Sequence, residues 1–159
     1  MHDLQNTKFV ALTPPGAILD NTSPTTVALD TKGFDYARVV VLIGATDIAL
    51  TALKLQESDT TSDANTLSSG ADISGCVYGT SALMGSSTTS SLPSATDDNK
   101  FFVFHVPLDA RRKRYIDLTA TIGDGAAGGY ITAWAELYRA ESVPNTSATR
   151  GVGAELIAA

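Results

Sequence analysis

Apolar side chains in this chain recur at every second position, over segments of five to eleven residues, and long helical spacing is scarce. Period two sends successive side chains to opposite faces of an extended backbone, so each such segment predicts a strand with one covered face. The strongest is "YARVVVLIG" (Tyr36–Gly44). It is β-branched, and apolar on both faces over its second half. That predicts a central strand covered on both sides, or covered on one side by a neighbouring subunit.

Other segments repeat the pattern. "KFVAL" (Lys8–Leu12) reads as a first strand stopped by Pro14-Pro15-Gly16, and "TTVAL" (Thr25–Leu29) as a second, followed by a turn at Asp30–Gly33. "IALTALKLQES" (Ile48–Ser58) sets Leu53 and Leu55 against Lys54 and Gln56. "KFFVFHVPL" (Lys100–Leu108), "RRKRYIDLTATIG" (Arg111–Gly123) and "GYITAWAELYR" (Gly129–Arg139) complete the set. In the last, Ile131, Ala133, Ala135 and Leu137 oppose Tyr130, Thr132, Trp134, Glu136 and Tyr138. Between Asp59 and Asn99 the chain is mostly Ser, Thr, Asp, Gly and Ala. One or two short strands are expected near Ile73–Tyr78, with an exposed insertion at Gly85–Asn99 that is either mobile or pinned by a partner.

The count of about eight strands with turn punctuation predicts an all-β fold: an antiparallel β-sandwich, jelly-roll-like, with a long polar insertion across 60–100 and extended termini. An immunoglobulin-like sandwich is the alternative. At 159 residues the chain fits a single domain able to bury a core without staples.

"GDGAAGG" (Gly123–Gly129) could be a phosphate cradle or a bend. A phosphate loop needs a helix after it and, in its commonest form, Gly-Lys-Ser/Thr. Here a period-two segment follows, so the glycines are expected to turn a hairpin at Asp124-Gly125.

The net charge is −6, which disfavours nucleic acid as a general partner because phosphate would be repelled. The most apolar run, Ala37–Ala45, is far shorter than the ~20 residues of a membrane span, so no membrane is expected, and "MHDLQNTKF" does not have the form of a secretory leader. Cys76 is the single cysteine, which rules out an internal disulfide and predicts a buried thiol. His105 is expected within a strand, and neither it nor His2 has a Cys or His at zinc spacing. Asp59–Thr66 with Asp72 could gather oxygens for calcium but matches no loop pattern of that kind. No cofactor and no metal are expected. Paired carboxylates need only spatial proximity, but Asp30, Asp47 and Glu57 fall at strand ends, where solvated acids are ordinary, and no Ser–His–Asp signature occurs.

Three features point to partners. Arg111, Arg112, Lys113 and Arg114 form a basic run, either a solvated turn balancing Asp109 and Asp117 or a contact patch for an acidic surface. The tail 142–159 ends in "ELIAA", either a frayed end or an arm docking on a neighbour through Leu156 and Ile157. Trp134, with Tyr130 and Tyr138, makes an aromatic stripe suited to a subunit interface or to stacking on sugar rings.

The stretches "FDYARVVVLIGATDIALTALKLQESD" (Phe34–Asp59) and "FFVFHVPLDARRKRYIDLTATIGDGAAGGYITAWAELYRAE" (Phe101–Glu141) resemble small structural proteins encoded among the head genes of tailed bacteriophages. Some of these are capsid decoration, or cement, proteins with a jelly-roll-like fold. The resemblance covers half to two-thirds of the chain. It implies a non-enzymatic virion protein, made in the host cytoplasm. Such a protein sits as a homotrimer on the outside of the capsid, binds the major capsid protein and stabilises the shell. A carbohydrate-binding sandwich, such as a tail- or fibre-associated receptor-binding module, is the alternative function.

Overall fold

The structure is a computed structural model that describes residues 6–14, 16–141 and 146–156. Its strands are β1 (Lys8–Ala11), β2 (Leu29–Asp30), β3 (Phe34–Thr46), β4 (Leu50–Ser58), β5 (Ala71–Val77), β6 (Phe101–Pro107), β7 (Tyr115–Ile122) and β8 (Gly129–Ala140). Among the described residues there is no α-helix. Two antiparallel four-stranded sheets form, ordered β1-β8-β3-β6 (sheet A) and β2-β7-β4-β5 (sheet B). The fold is therefore an all-β sandwich. Pairs β1–β8, β2–β7, β3–β6 and β4–β5 are all hydrogen-bonded, as if one long hairpin had been wound so that its rungs alternate between the sheets.

The alternation sets the core. On β3 the inward residues Ala37, Val39, Val41 and Ile43 are fully buried. They meet Leu53 and Leu55 of β4, Ile116, Leu118, Ala120 and Ile122 of β7, and Ile131, Ala133, Ala135 and Leu137 of β8 in a single cluster. Each large aliphatic removed from water there contributes about 1.5–3 kcal/mol.

Two sequence expectations change. The second strand is not Thr25–Leu29: only Leu29–Asp30 pair, with Ile116 and Tyr115. Upstream, the Val27 N–H donates to Leu12 O while Thr22 O accepts from Ile122 N. The segment thus bonds to different strands in turn, and Pro24 brings no N–H for a ladder. The glycine cluster does not close a hairpin either, because β7 and β8 lie in different sheets. It is a crossover, and only Gly128 in it takes a positive φ, of 70°. A Cβ there would strike Leu19 O, which pairs with the Gly129 N–H at 2.8 Å. The loop's amides do converge on an oxyanion, one supplied by the chain itself. Asp47 Oδ2 accepts from the N–H groups of Ala126 (2.6 Å) and Ala127 (2.7 Å), and Asp20 Oδ1 from that of Gly125 (3.0 Å). The cradle is filled by Asp47.

Three of the four sheet edges are blunted, each by a different device. β5 is bulged, with Gly75 at φ 83° and a register slip opposite Lys54–Gln56. On β6, the Ile43 N–H donates to Lys100 O and the Leu108 N–H to Asp35 O, so even-numbered residues face β3 and odd-numbered ones face the open edge. Pro107 is odd, so its missing N–H costs the ladder nothing and leaves the open edge one donor short. Val103 O, on the same edge, accepts from the Tyr78 hydroxyl at 3.3 Å.

The edge of β1 is covered by the chain's own tail. The Phe9 N–H donates to Arg150 O at 2.7 Å. The Arg150 side chain is buried; its Nε donates to Thr7 O (2.8 Å) and its Nη1 pairs with Glu155 (2.7 Å). The polar insertion is likewise stitched to its own chain. Ser90 Oγ accepts from the Gly79 N–H and donates to Ser81 O, and the Leu50 N–H donates to Pro93 O. Asp97 closes a turn on Ser94 and Lys100; the Lys100 ammonium, then the Ser94 amide and hydroxyl, hold its carboxyl down at about 2.

Candidate interaction surface

The outward side chains of sheet A make a face unlike the rest of the surface. Cross-strand register sets three rows side by side. Ala11, Trp134, Val40 and Val103 lie in one. Thr132, Leu42 and Phe101 lie in the next, and Phe9, Glu136, Arg38 and His105 in the one on the other side. Beyond the last come Tyr138, Tyr36 and Pro107. The face therefore has an apolar half and a polar, aromatic half.

In the apolar half Phe101 is 60% exposed and stands edge-on to the Trp134 indole, with ring centroids 6.2 Å apart. The half-buried Leu42 and Val103 flank it on β3 and β6, and Val40 between them is buried. β3 is thus apolar on both faces as its sequence predicts, and its outward face has no covering layer within the described chain.

In the polar half Glu136 gathers donors. It accepts from Arg38 Nε (3.0 Å) and Nη2, from Trp134 Nε1 (3.1 Å) and from the Tyr138 hydroxyl. Burial alone would raise the Glu136 carboxyl. The hydrogen bonds from Tyr138, Trp134 and Arg38 outweigh it and hold the group below its ordinary value of 4.5. Burial first, then the hydrogen bond to Glu136, pushes the Tyr138 phenol up to about 12. The Arg38 guanidinium also lies over the Tyr138 ring, 5.5 Å from its centroid. Tyr36 Oη and His105 Nδ1 are 2.7 Å apart.

A carboxylate whose pKa is depressed on folding stabilises fully above its unfolded value, and that stability is lost as pH falls through the folded value. Glu136 therefore contributes fully above about pH 4.5, with its loss confined to more acid solution. Glu136→Gln is expected to cost about 1–3 kcal/mol at pH 7, read by urea unfolding. The gap to the parent protein should shrink below pH 4.5. A constant gap down to pH 2 would contradict the assignment.

The other residues singled out in the sequence fall elsewhere. Arg111–Arg114 lie in the β6–β7 loop at one end of the sandwich, and three of the four are paired with acids of this chain. Arg111 holds Asp109 (2.6 Å), and Arg114 holds Asp30 (2.7 Å) while covering the Tyr115 ring. Arg112 lies 3.6 Å from the buried Glu57, which also accepts the Lys113 N–H. Asp117, expected to help balance this run, does not; it sits on β7 with its carboxyl raised by burial. The Arg111 side chain stays 83% exposed. Leu156 is fully exposed, and Ile157 lies outside the described residues. Trp134 is the one of these residues on the sheet A face, and it meets neither the basic run nor Leu156 there.

Cys76 is buried near β6, its thiol pushed up by desolvation. Among the described residues, no three of His, Cys, Asp and Glu gather as a metal-binding group. Sequence reasoning missed the Tyr36, Arg38, His105 and Glu136 cluster. Its signal was the polar residue at every second place early in β3, but the partners come from strands about seventy and a hundred residues away. Fold and surface together define a two-layer antiparallel sandwich with one apolar and aromatic outer face. The chain matches no protein-family model, no curated protein and no solved structure.

Proposed function

We propose that this chain is a non-enzymatic structural subunit of a virus particle. Copies associate through the apolar half of sheet A's outer face, as a homotrimer, and the oligomer binds the outside of a tailed-bacteriophage shell, gripping the major capsid protein. The observation that carries the association is Phe101, 60% exposed, with the half-buried Leu42, Val103 and Trp134 beside it on the same outer face. Apolar area withdrawn from water contributes about 25 cal/mol per Å², and contiguous exposed patches of this kind mark interaction sites. The likeness of Phe34–Asp59 and Phe101–Glu141 to phage decoration proteins supplies the particle, and the wound-hairpin strand order supports the jelly-roll-like reading.

The mechanism is mass action. A ligand that binds only the assembled shell shifts the equilibrium toward it, and symmetry repeats one modest contact many times. Light scattering after size exclusion, followed by co-sedimentation with expanded capsid shells, tests the proposal. A trimer that pellets with shells is expected. A monomer at high concentration that stays in the supernatant overturns it.

A second reading, a carbohydrate-binding module, is favoured by the stripe on the same face. Tyr130 is 44% exposed, and Trp134 and Tyr138 are both partly exposed.

A further inference from the structure

At the polar end of sheet A's outer face lies an open hollow of about 440 Å³, lined by Tyr36, Arg38, His105, Tyr138 and Arg139. Its aromatic walls are Tyr36 and Tyr138, with centroids 6.2 Å apart and planes inclined by 60°. Arg139 is the residue out of place. Strand alternation would send it to the core face with Leu137. At φ 57° its backbone leaves the extended region, and its side chain lines the outer hollow instead. Left-handed geometry at a non-glycine residue is uncommon and costs of order 1–3 kcal/mol, and such strain concentrates at binding sites. Arg139 has no ion-pair partner among the described residues.

The hollow's charge follows. Glu136, the carboxylate that meets the hollow's Arg38, is already taken by Arg38, Trp134 and Tyr138. With Arg38 paired to that carboxylate, Arg139 is the guanidinium of the hollow that forms no ion pair among the described residues. An unpaired arginine suits a carboxylate, which it binds with two parallel N–H donors. Tyrosine ring faces suit the C–H faces of a pyranose, and the Tyr36 hydroxyl with the second His105 nitrogen suits hydroxyls that both donate and accept. An extended peptide would need the open edge of β6, where Pro107 offers no donor and Val103 O is occupied by Tyr78.

We propose that this hollow is a subsite for a carboxylate-bearing sugar. Arg139, beside Arg38, takes the carboxylate, and the rings of Tyr36 and Tyr138 take the pyranose. The inference rests on the carbohydrate-binding reading and assigns it a ligand class and a place, toward Tyr36 and away from Trp134.

The test is calorimetric titration of the full chain with four probes: methyl β-glucuronide, the methyl glycoside of N-acetylneuraminic acid, methyl β-glucoside and acetate. At least one acidic sugar should bind tenfold or more tighter than the glucoside, with acetate weaker than both. Arg139→Gly should reduce the acidic sugar to the glucoside's affinity. Its melting temperature should hold or rise, since glycine accepts that φ freely. Equal binding of glucoside and acidic sugars would overturn the acid subsite and leave the carbohydrate reading standing. No sugar binding would overturn both. Acetate matching the acidic sugars, or undiminished affinity in Arg139→Gly, would overturn the sugar-acid assignment.

Discussion

A Leu42→Asp, Phe101→Asp double variant runs as a monomer in light scattering at concentrations where the parent protein runs as an oligomer. Both residues lie in one cross-strand row of sheet A's outer face, so neither change opens the core. Truncating an apolar anchor at the centre of an interface costs roughly 2 kcal/mol or more. Burying a carboxylate in its place adds to that. Two such changes should weaken association by about a thousandfold, since 1.4 kcal/mol is a factor of ten. Circular dichroism and the melting curve of the isolated subunit should stay close to the parent's. A folded double variant that keeps the parent's mass removes this face from the assembly.

The second large effect concerns the tail. Arg150→Ala is expected to destabilise the subunit by about 2–4 kcal/mol, read from denaturant midpoints, and to increase association at high concentration. Arg150 is buried with its donors on Thr7 O and Glu155, while its carbonyl takes the Phe9 N–H on the outer edge of β1. Without the guanidinium, Thr7 O loses its donor and the tail loses its anchor. The edge of β1 is then open, and an open edge is a template for pairing with another chain. Gly151 sits against the same contact at φ 73°, where a Cβ would strike Phe9 O, so the tail's path is fixed from both sides of Arg150. A variant with parent-like stability and mass would show that the tail contributes nothing to the edge.

The two outcomes separate two roles for the ends of the chain. The tail's described part closes its own sandwich, whereas the outer face of sheet A is left open. The arm reading of the C-terminus therefore narrows to Leu156, fully exposed, and to Ile157, outside the described residues.

Strand identity was legible because it rests on local alternation. Ile116, Leu118 and Ala120 point inward, and so do Ile131, Ala133, Ala135 and Leu137, each as its parity requires. Even the outward apolar side chains of β3's second half could be read from Val40 and Leu42. Where local signals failed, a long-range partner had taken over. Asp124-Gly125 looked like a hairpin, yet Asp47, in the β3–β4 loop, captures the amides that follow and the chain crosses between sheets. The basic run could be read as a turn balancing nearby acids, but of its partners only Asp109 is local; Glu57 and Asp30 meet two of its arginines across the fold.

The amino-acid order by itself determined most of the extended segments, which of their side chains face inward, and that the second half of one central strand is apolar on both sides, because all three follow from period two and side-chain chemistry. Only the tertiary structure decided which strands are neighbours and therefore which outward residues meet. Arg38 with Glu136, Tyr36 with His105, and Arg139 turned into their hollow are products of register and of one left-handed backbone angle. Register couples residues as much as a hundred positions apart, and no local periodicity carries that information.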